Sequence, residues 1–250
     1  MADLHDAIKH AIGEQHDPFA VFDFDNTCIV NDIAEATLAH LCRNKLLRDK
    51  TLLPGGGGDY HERIFHRYYA LLDKGEIVPA YLLCAQVFSG FTLAEIDVLL
   101  STVIDVEGDE ICKTELFGIS IAKGLAVRPQ VHELLSFLQK ENVDIWIISA
   151  SPEVTVSTAM RRFDIPGKLI GLRNMAVDGV LTSEIHEPYS IADGKVSCIK
   201  RYIDKERRPV FGIGDSMNDF SMVEYSNVHA VINRANALTK EAQTRGWFIL

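Results

Sequence analysis

Asp23-Phe24-Asp25-Asn26-Thr27 sets two carboxylates two residues apart at the end of the apolar run Phe19 to Phe24. In a strand such residues point the same way, about 6.6 Å apart along the axis, but where a chain leaves its sheet they can converge. Converging carboxylates need a cation between them, or a proton on one, and the second arrangement separates an acid from a nucleophile. The plain alternative is a turn that starts the next helix, with Asn26 or Thr27 as its cap. A calcium loop is excluded, because the Gly and Glu that an EF-hand needs at its sixth and twelfth positions are Cys28 and Ala34 here. A second stretch, Ser149-Ala150-Ser151-Pro152, offers a hydroxyl and free backbone N–H groups to an anion, although it equally fits a helix cap with Pro in the first turn. A third, Gly194-Lys195, opens a helix, where a lone Lys is ordinarily surface. The fourth, Phe211-Gly212-Ile213-Gly214-Asp215-Ser216-Met217-Asn218-Asp219, adds two acids and an amide. Its glycines are not a dinucleotide fingerprint, since Met217 stands at the third Gly position, and they suit a close backbone approach instead. Asp23, Asp25, Asp215 and Asp219 together imply a hard divalent cation with oxygen ligands, Mg²⁺ first among candidates.

The elements that must carry these residues follow from periodicity. The run Phe19 to Phe24 is continuous rather than alternating, which suits a strand buried on both faces of a parallel sheet. Helical patterns then cover about 32 to 47, 59 to 73, 79 to 88, 92 to 105 and 111 to 123. Pro54-Gly55-Gly56-Gly57-Gly58 between two of them lacks a following Lys-Ser/Thr and a preceding strand, so it is a connector and not a phosphate cradle. From Arg128-Pro129 strands and helices alternate: a strand at Val143 to Ile148, two strand-like pieces around 169 to 176 and 180 to 185 joined by Asp178-Gly179, and strands at Val210 to Ile213, Val228 to Ile232 and Trp247 to Leu250. This texture predicts an α/β fold, a doubly wound parallel-sheet (Rossmann-like) core of residues 1–29 and 125–250 with an inserted helical cap of residues 30–124. An insertion after the first strand lies over the carboxyl ends of the strands, where open α/β sheets place ligands.

The order DxDxT, Ser after a strand, Lys, then GDxxND resembles the haloacid dehalogenase superfamily. More narrowly it is similar to the phosphoserine phosphatase branch, through the cap position, Arg128-Pro129, the hairpin before Lys195 and the stretch 214 to 222. The resemblance implies a phosphomonoester hydrolase in which Asp23 attacks phosphorus and Asp25 is the acid and then the base. It implies that Asp23, the Asp25 carbonyl and Asp215 hold Mg²⁺, that Ser149 and Lys195 bind the phosphoryl oxygens, and that Ala150, Asn218 and Asp219 complete the site, Asp219 as an orienter of metal waters or of Lys195. Asp32 or Glu35 would meet a substrate ammonium, and Arg63 or Arg67 a carboxylate. Ser149-Ala150-Ser151 departs from the Ser-Gly-Gly of the phosphoserine enzymes and the cap is longer. Phosphocholine or another amino-alcohol phosphate therefore stands beside phosphoserine as the expected small phosphorylated metabolite. The second acid favours a C–O–P ester over a haloacid, and Phe24 after the nucleophile departs from the Lys of P-type ATPases. A receiver-like signalling module, which holds its phosphoryl group, is the rival from another class; the long insertion and Asp25 speak against it.

Composition bounds the rest. Lys plus Arg number 25 against 35 Asp plus Glu, a net charge of -10 that would repel a nucleic-acid backbone. The five cysteines are scattered without a C-x-x-C pair, and His61 and His66 are five apart rather than the four of a helical zinc pair. The N-terminus carries acids where a signal peptide is basic, and no apolar run approaches the length of a membrane span. The expectation is a cytoplasmic monomer or homodimer with no membrane or nucleic-acid partner.

Overall fold

The computed structural model describes all 250 residues. Helix α1 (Ala2–Gly13) precedes β1 (Phe19–Phe22), whose four residues are all buried, as its unbroken apolar run requires. The chain then leaves through β2 (Ile29–Val30) into α2 (Ile33–Arg43), α3 (Tyr60–Asp73), α4 (Ile77–Gln86), α5 (Leu93–Glu107), β3 (Cys112–Leu116) and β4 (Ile119–Lys123), and returns through β5 (Ala126–Val127). Strands β2 and β5 pair antiparallel, so the outgoing and returning segments are tied side by side.

The second half alternates: α6 (Pro129–Lys140), β6 (Asp144–Pro152), α7 (Glu153–Arg162), β7 (Lys168–Leu172), β8 (Asn174–Val177), β9 (Val180–Ile185), α8 (Asp193–Tyr202) and β10 (Phe211–Gly214). A single 3₁₀ turn, Met217–Asp219, leads into α9 (Phe220–Tyr225), β11 (Val228–Val231), α10 (Ala237–Arg245) and β12 (Phe248–Ile249). Six strands form one sheet in the order β7-β6-β1-β10-β11-β12, every pair parallel. Counted along the chain this is 3-2-1-4-5-6, and the crevice of such a sheet opens where the order reverses, beside β1 at the carboxyl ends. The first, second and fourth sequence stretches all leave strands that meet there.

Two apolar clusters hold the layers. One packs α1, α6 and α7 on the sheet; the other unites α2 to α5 with Leu116, Ile121 and Leu181, so β9 inserts a side chain into the cap's own core.

Two expectations are corrected. Residues 111 to 123 form the β3–β4 hairpin and not a helix. Its turn, Phe117-Gly118, takes positive φ at both positions (50° and 77°), and Leu116 and Ile121 turn inward while Lys113, Glu115 and Ala122 face water, a period of two and not 3.6. The pieces at 169 to 176 also divide: β7 joins the main sheet, and only β8 pairs with β9 across Asp178-Gly179, again with positive φ at both residues.

Candidate active site

Asp23 follows β1 directly, its N–H still bonded to Ile213 O at 3.0 Å. Its Oδ1 accepts from Lys195 Nζ at 2.8 Å and its Oδ2 from Thr27 Oγ1 at 2.7 Å. Lys195, 0% exposed at the first turn of α8, also donates to Asp219 Oδ1 at 2.5 Å. The other Asp219 oxygen accepts from the backbone N–H groups of Asp215 and Ser216, at 3.0 and 3.1 Å. Gly214 permits this return of the side chain, since a Cβ there would lie 2.3 Å from that of Asp219. Carboxylate atoms of Asp23, Asp215 and Asp219 all fall within 4.8 Å of one another. Two strand ends and a helix start therefore converge on one buried cluster.

Asp25 stands apart from the lysine. Its Oδ1 accepts from Ile33 N–H at 2.8 Å at the start of α2, and its Oδ2 from Ser151 Oγ at 2.7 Å, with Ser149 Oγ at 3.4 Å. Ser149 Oγ in turn accepts from Ser151 N–H at 3.0 Å, and its carbonyl from Ser190 Oγ at 2.6 Å. The loop carrying both acids is set by Arg128, which donates to Asn26 O and Thr27 O, and by positive φ at Asn26 (59°) and Asn31 (66°). Asn218 Oδ1 accepts from Ala192 N–H at 2.7 Å, which joins the fourth stretch to the start of the lysine helix.

Electrostatics follow from crowding acids in a buried place. Burial pushes the Asp23 carboxyl up to about 6, with Asp219 adding to the rise and Lys195 opposing it. Burial, then Asp219 and Asp23, push Asp215 up to about 8 against the pull of Arg234. Asp25 is raised well above the usual carboxylate range by burial and by Asp32, against its bonds to Ser151 and Ile33. For Lys195 burial alone would lower the value, but Asp219 and Asp23 outweigh it and hold the ammonium above its ordinary range. An acid cluster this short of positive charge fits a hard cation, and its donors are all oxygen. Asp23 and Asp215 would hold Mg²⁺ here.

The cluster floors a cavity of about 410 Å³ lined by six carboxylates, those of Asp23, Asp25, Asp32, Glu35, Asp215 and Asp219, with Arg234 as the cationic side chain in the wall. From the cap side come Asn31, Asp32, Glu35, Tyr81 and Ala122. Asp32 caps α2, accepting from Ala34 and Glu35 N–H at 2.8 and 2.9 Å, and Glu35 accepts from Tyr68 OH at 2.9 Å. Ser149, Ala150 and Asn218 also line the cavity. Arg63 and Arg67 do not. Ile64, Phe65 and Tyr68 of α3 are buried, which turns Arg63 toward the connecting loop, where it donates to Gly56 O at 3.4 Å, and leaves Arg67 exposed. His61 contacts Lys50 and His66 contacts Phe117 O, away from the cavity.

The site also takes in Ser151, Thr27, Tyr81, Arg234 and Asn236, to which the sequence by itself assigns no catalytic or binding role. Thr27 and Ser151 stand within the first and second stretches and bond Asp23 and Asp25. Asn233-Arg234-Ala235-Asn236 follows a strand just as the other site loops do, and that position was its available signal. Tyr81, within a cap helix, had none.

The family model for the haloacid dehalogenase-like hydrolases matches residues 20–224. The chain belongs to this family. Across 262 aligned residues it is 27% identical to a phosphorylcholine phosphatase of Pseudomonas aeruginosa, covering 86% of this chain and 74% of that protein. A probable phosphatase of Mycobacterium tuberculosis is 30% identical over 110 residues, 43% of this chain and 38% of the other. Among solved structures, a protein of unknown function from Anaerococcus prevotii superposes with a TM-score of 0.70 at 20% identity, covering 97% of this chain and 90% of that one. A substrate-bound phosphoserine phosphatase gives 0.57 at 12% identity, covering 91% and 90%. These likenesses show the shared fold, a six-stranded parallel sheet with a cap, and the family match together with the phosphatase relatives makes the protein a phosphatase. No helix is long and apolar enough to cross a membrane.

Proposed function

We propose that the protein is a Mg²⁺-dependent phosphomonoesterase that works through an aspartyl phosphate on a small metabolite with a cationic head, an amino-alcohol phosphate such as phosphocholine. The observation that carries the chemistry is the buried Asp23–Lys195–Asp219 chain beside Asp215, with Asp25 held separately across the same cavity. Bound Mg²⁺ supplies charge neutralisation between an anionic nucleophile and an anionic phosphoryl group.

In this reading an Asp23 oxygen forms the new P–O bond while the bond from phosphorus to the ester oxygen breaks. Asp25, kept protonated by burial, gives its proton to the leaving alkoxide. The resulting Asp25 carboxylate then takes a proton from water as that water attacks the phosphoryl group, releasing inorganic phosphate and restoring Asp23. Lys195 restrains Asp23 and neutralises a phosphoryl oxygen, Ser149 and the Ala150 backbone face that oxygen, and Asp219 holds Lys195 with both of its own oxygens committed to the chain. Thr27 and Ser151 fix the two acids in their separate roles.

The head-group preference rests on the cap side of the cavity, which presents two acids and Tyr81 and no basic residue. Acids beside an aromatic face suit an ammonium, whereas a carboxylate would meet Asp32 and Glu35 unpaired. This favours an amino-alcohol phosphate over phosphoserine, since Arg63 and Arg67 lie outside the cavity. The experiment is steady-state phosphate release from phosphocholine, phosphoethanolamine, phosphoserine and p-nitrophenyl phosphate, with Asp23→Asn as control. Multiple turnovers, lost with EDTA and in the variant, and kcat/KM highest for the two amino-alcohol esters are expected. A single equivalent would favour the receiver reading, and a preference for phosphoserine would overturn the head-group assignment.

A further inference from the structure

We infer that the turn Asn233–Asn236, between β11 and α10, is a fifth element of the active site, and that Arg234 is a positioning residue that orients Asp215 toward the divalent cation. This rests on the reading that Asp215 is a ligand. Arg234 Nη1 donates to Asp215 Oδ2 at 2.8 Å, and Asn236 Nδ2 donates to the Asp215 carbonyl at 2.7 Å. One four-residue turn thus grips Asp215 at its carboxylate and at its backbone. The remaining oxygen, Oδ1, accepts no bond from the chain, which leaves it to the cavity.

The turn is itself rigidly set. Asn233 N–H donates to Leu250 O at 2.8 Å, tying it to the residue that follows β12. Asn236 Oδ1 caps α10 through Thr239 N–H at 3.0 Å, and Thr239 Oγ1 accepts from Arg234 N–H at 3.2 Å. Ala235 takes a positive φ of 51°, a strained state for a residue with a Cβ that these three bonds over-determine. Such a device suits a metal ligand. A carboxylate packed near Asp23 and Asp219 is repelled by both and would rotate away, whereas a guanidinium anchored on one oxygen holds the other in place. Removing a partner of this kind from a metal ligand typically weakens metal affinity by about 10- to 100-fold.

The test uses Mn²⁺ as probe, with free ion counted by electron paramagnetic resonance in the absence of substrate, on the full chain. Arg234→Met should raise the Mn²⁺ dissociation constant by about 10-fold or more. Arg234→Lys should recover most of the loss, and kcat of Arg234→Met should return toward the unaltered protein's as Mg²⁺ is raised to saturation. Arg234 is partly exposed, so folding should survive, and an unchanged melting profile checks this. Asp215→Asn should abolish high-affinity Mn²⁺ binding. If Asp215→Asn loses the ion while Arg234→Met binds it as well as or better than the unaltered protein, the positioning role is overturned and the proposed chemistry stands. If Asp215→Asn keeps full affinity, the metal reading falls and this inference with it.

Discussion

Asp23 and Asp25 have the same side chain and opposite surroundings. Asp23 touches a buried ammonium and a hydroxyl; Asp25 touches hydroxyls and one backbone N–H, with Asp32 as its nearby charge. In the proposed mechanism it is the environment, rather than the residue type, that would assign nucleophile and acid. Asp25→Asn should form the phosphoenzyme from p-nitrophenyl phosphate, whose leaving group needs no proton, and hydrolyse it at least about 100-fold more slowly, a loss within the usual range for general acid–base catalysis. Rapid-quench trapping of the labelled protein would show it, and equal loss of formation and breakdown would remove the acid/base role.

Asp32 carries a pH prediction of its own. Burial, and next to it Glu35, push its carboxyl up to about 7, against bonds from the Ala34 and Glu35 N–H groups. Below that value the group is neutral and cannot pair with an ammonium; above it the charge is present. The KM for phosphocholine should therefore fall as pH rises from 6 to 8, while that for p-nitrophenyl phosphate, which has no ammonium, should lack this limb. Asp32→Asn keeps a capping oxygen for α2 and should flatten the profile. A profile unchanged in the variant would place the cation elsewhere.

At the scale of elements, the cap is held at two ends. The β2–β5 pair joins it to the core at one end, and at the other β9 is stitched to the α4–α5 connection by Gly90 N–H to Leu181 O and Leu181 N–H to Phe91 O, both 2.8 Å. Asn174 adds a bond to Ala85 O at 2.9 Å, and Arg161 and Arg162 of α7 pair with Asp97 and Asp105 of α5. These contributions are unequal. Leu181 is 5% exposed inside the cap's apolar cluster, so Leu181→Ala should lower the unfolding free energy by about 2–4 kcal/mol. Asp97 and Arg161 are more than half exposed, and Arg161→Ala should change it by less than about 1 kcal/mol. Denaturant unfolding of both variants tests the ranking, and a larger loss for Arg161→Ala would show that charge, not apolar seating, docks the cap.

For the molecule as a whole, a net charge of -10 and an acid-lined cavity make the site a place where a cation relieves repulsion. On the proposed reading Mg²⁺ would bind the folded chain and not the unfolded one, so a concentration 100 times its dissociation constant should add about 2.7 kcal/mol and raise the melting temperature. Calorimetry with and without Mg²⁺ measures this, and the rise should vanish in Asp215→Asn. A rise of equal size in that variant would mean that the ion stabilises some other part of the surface.

The sequence alone determined most strands of the main sheet, the alternation and the acids at the strand ends, because buried parallel strands announce themselves as apolar runs and these acids sit on the residues that leave them. Asp23, Asp215 and Asp219 were legible for that reason; Lys195 opens a helix and stood out only through the family resemblance, and Leu116 and Ile121 misled because short apolar spacings satisfy two periods. Tertiary structure alone decided which cap residues face the cavity. A helix's amphipathic pattern says which side is buried but not against what, so Asp32, Glu35 and Tyr81 reach the site while Arg63 and Arg67, equally plausible by position, are turned away by the packing of Ile64, Phe65 and Tyr68. Arg234 became visible in the same way, since its partner lies 19 residues earlier and only the sheet order brings their loops together.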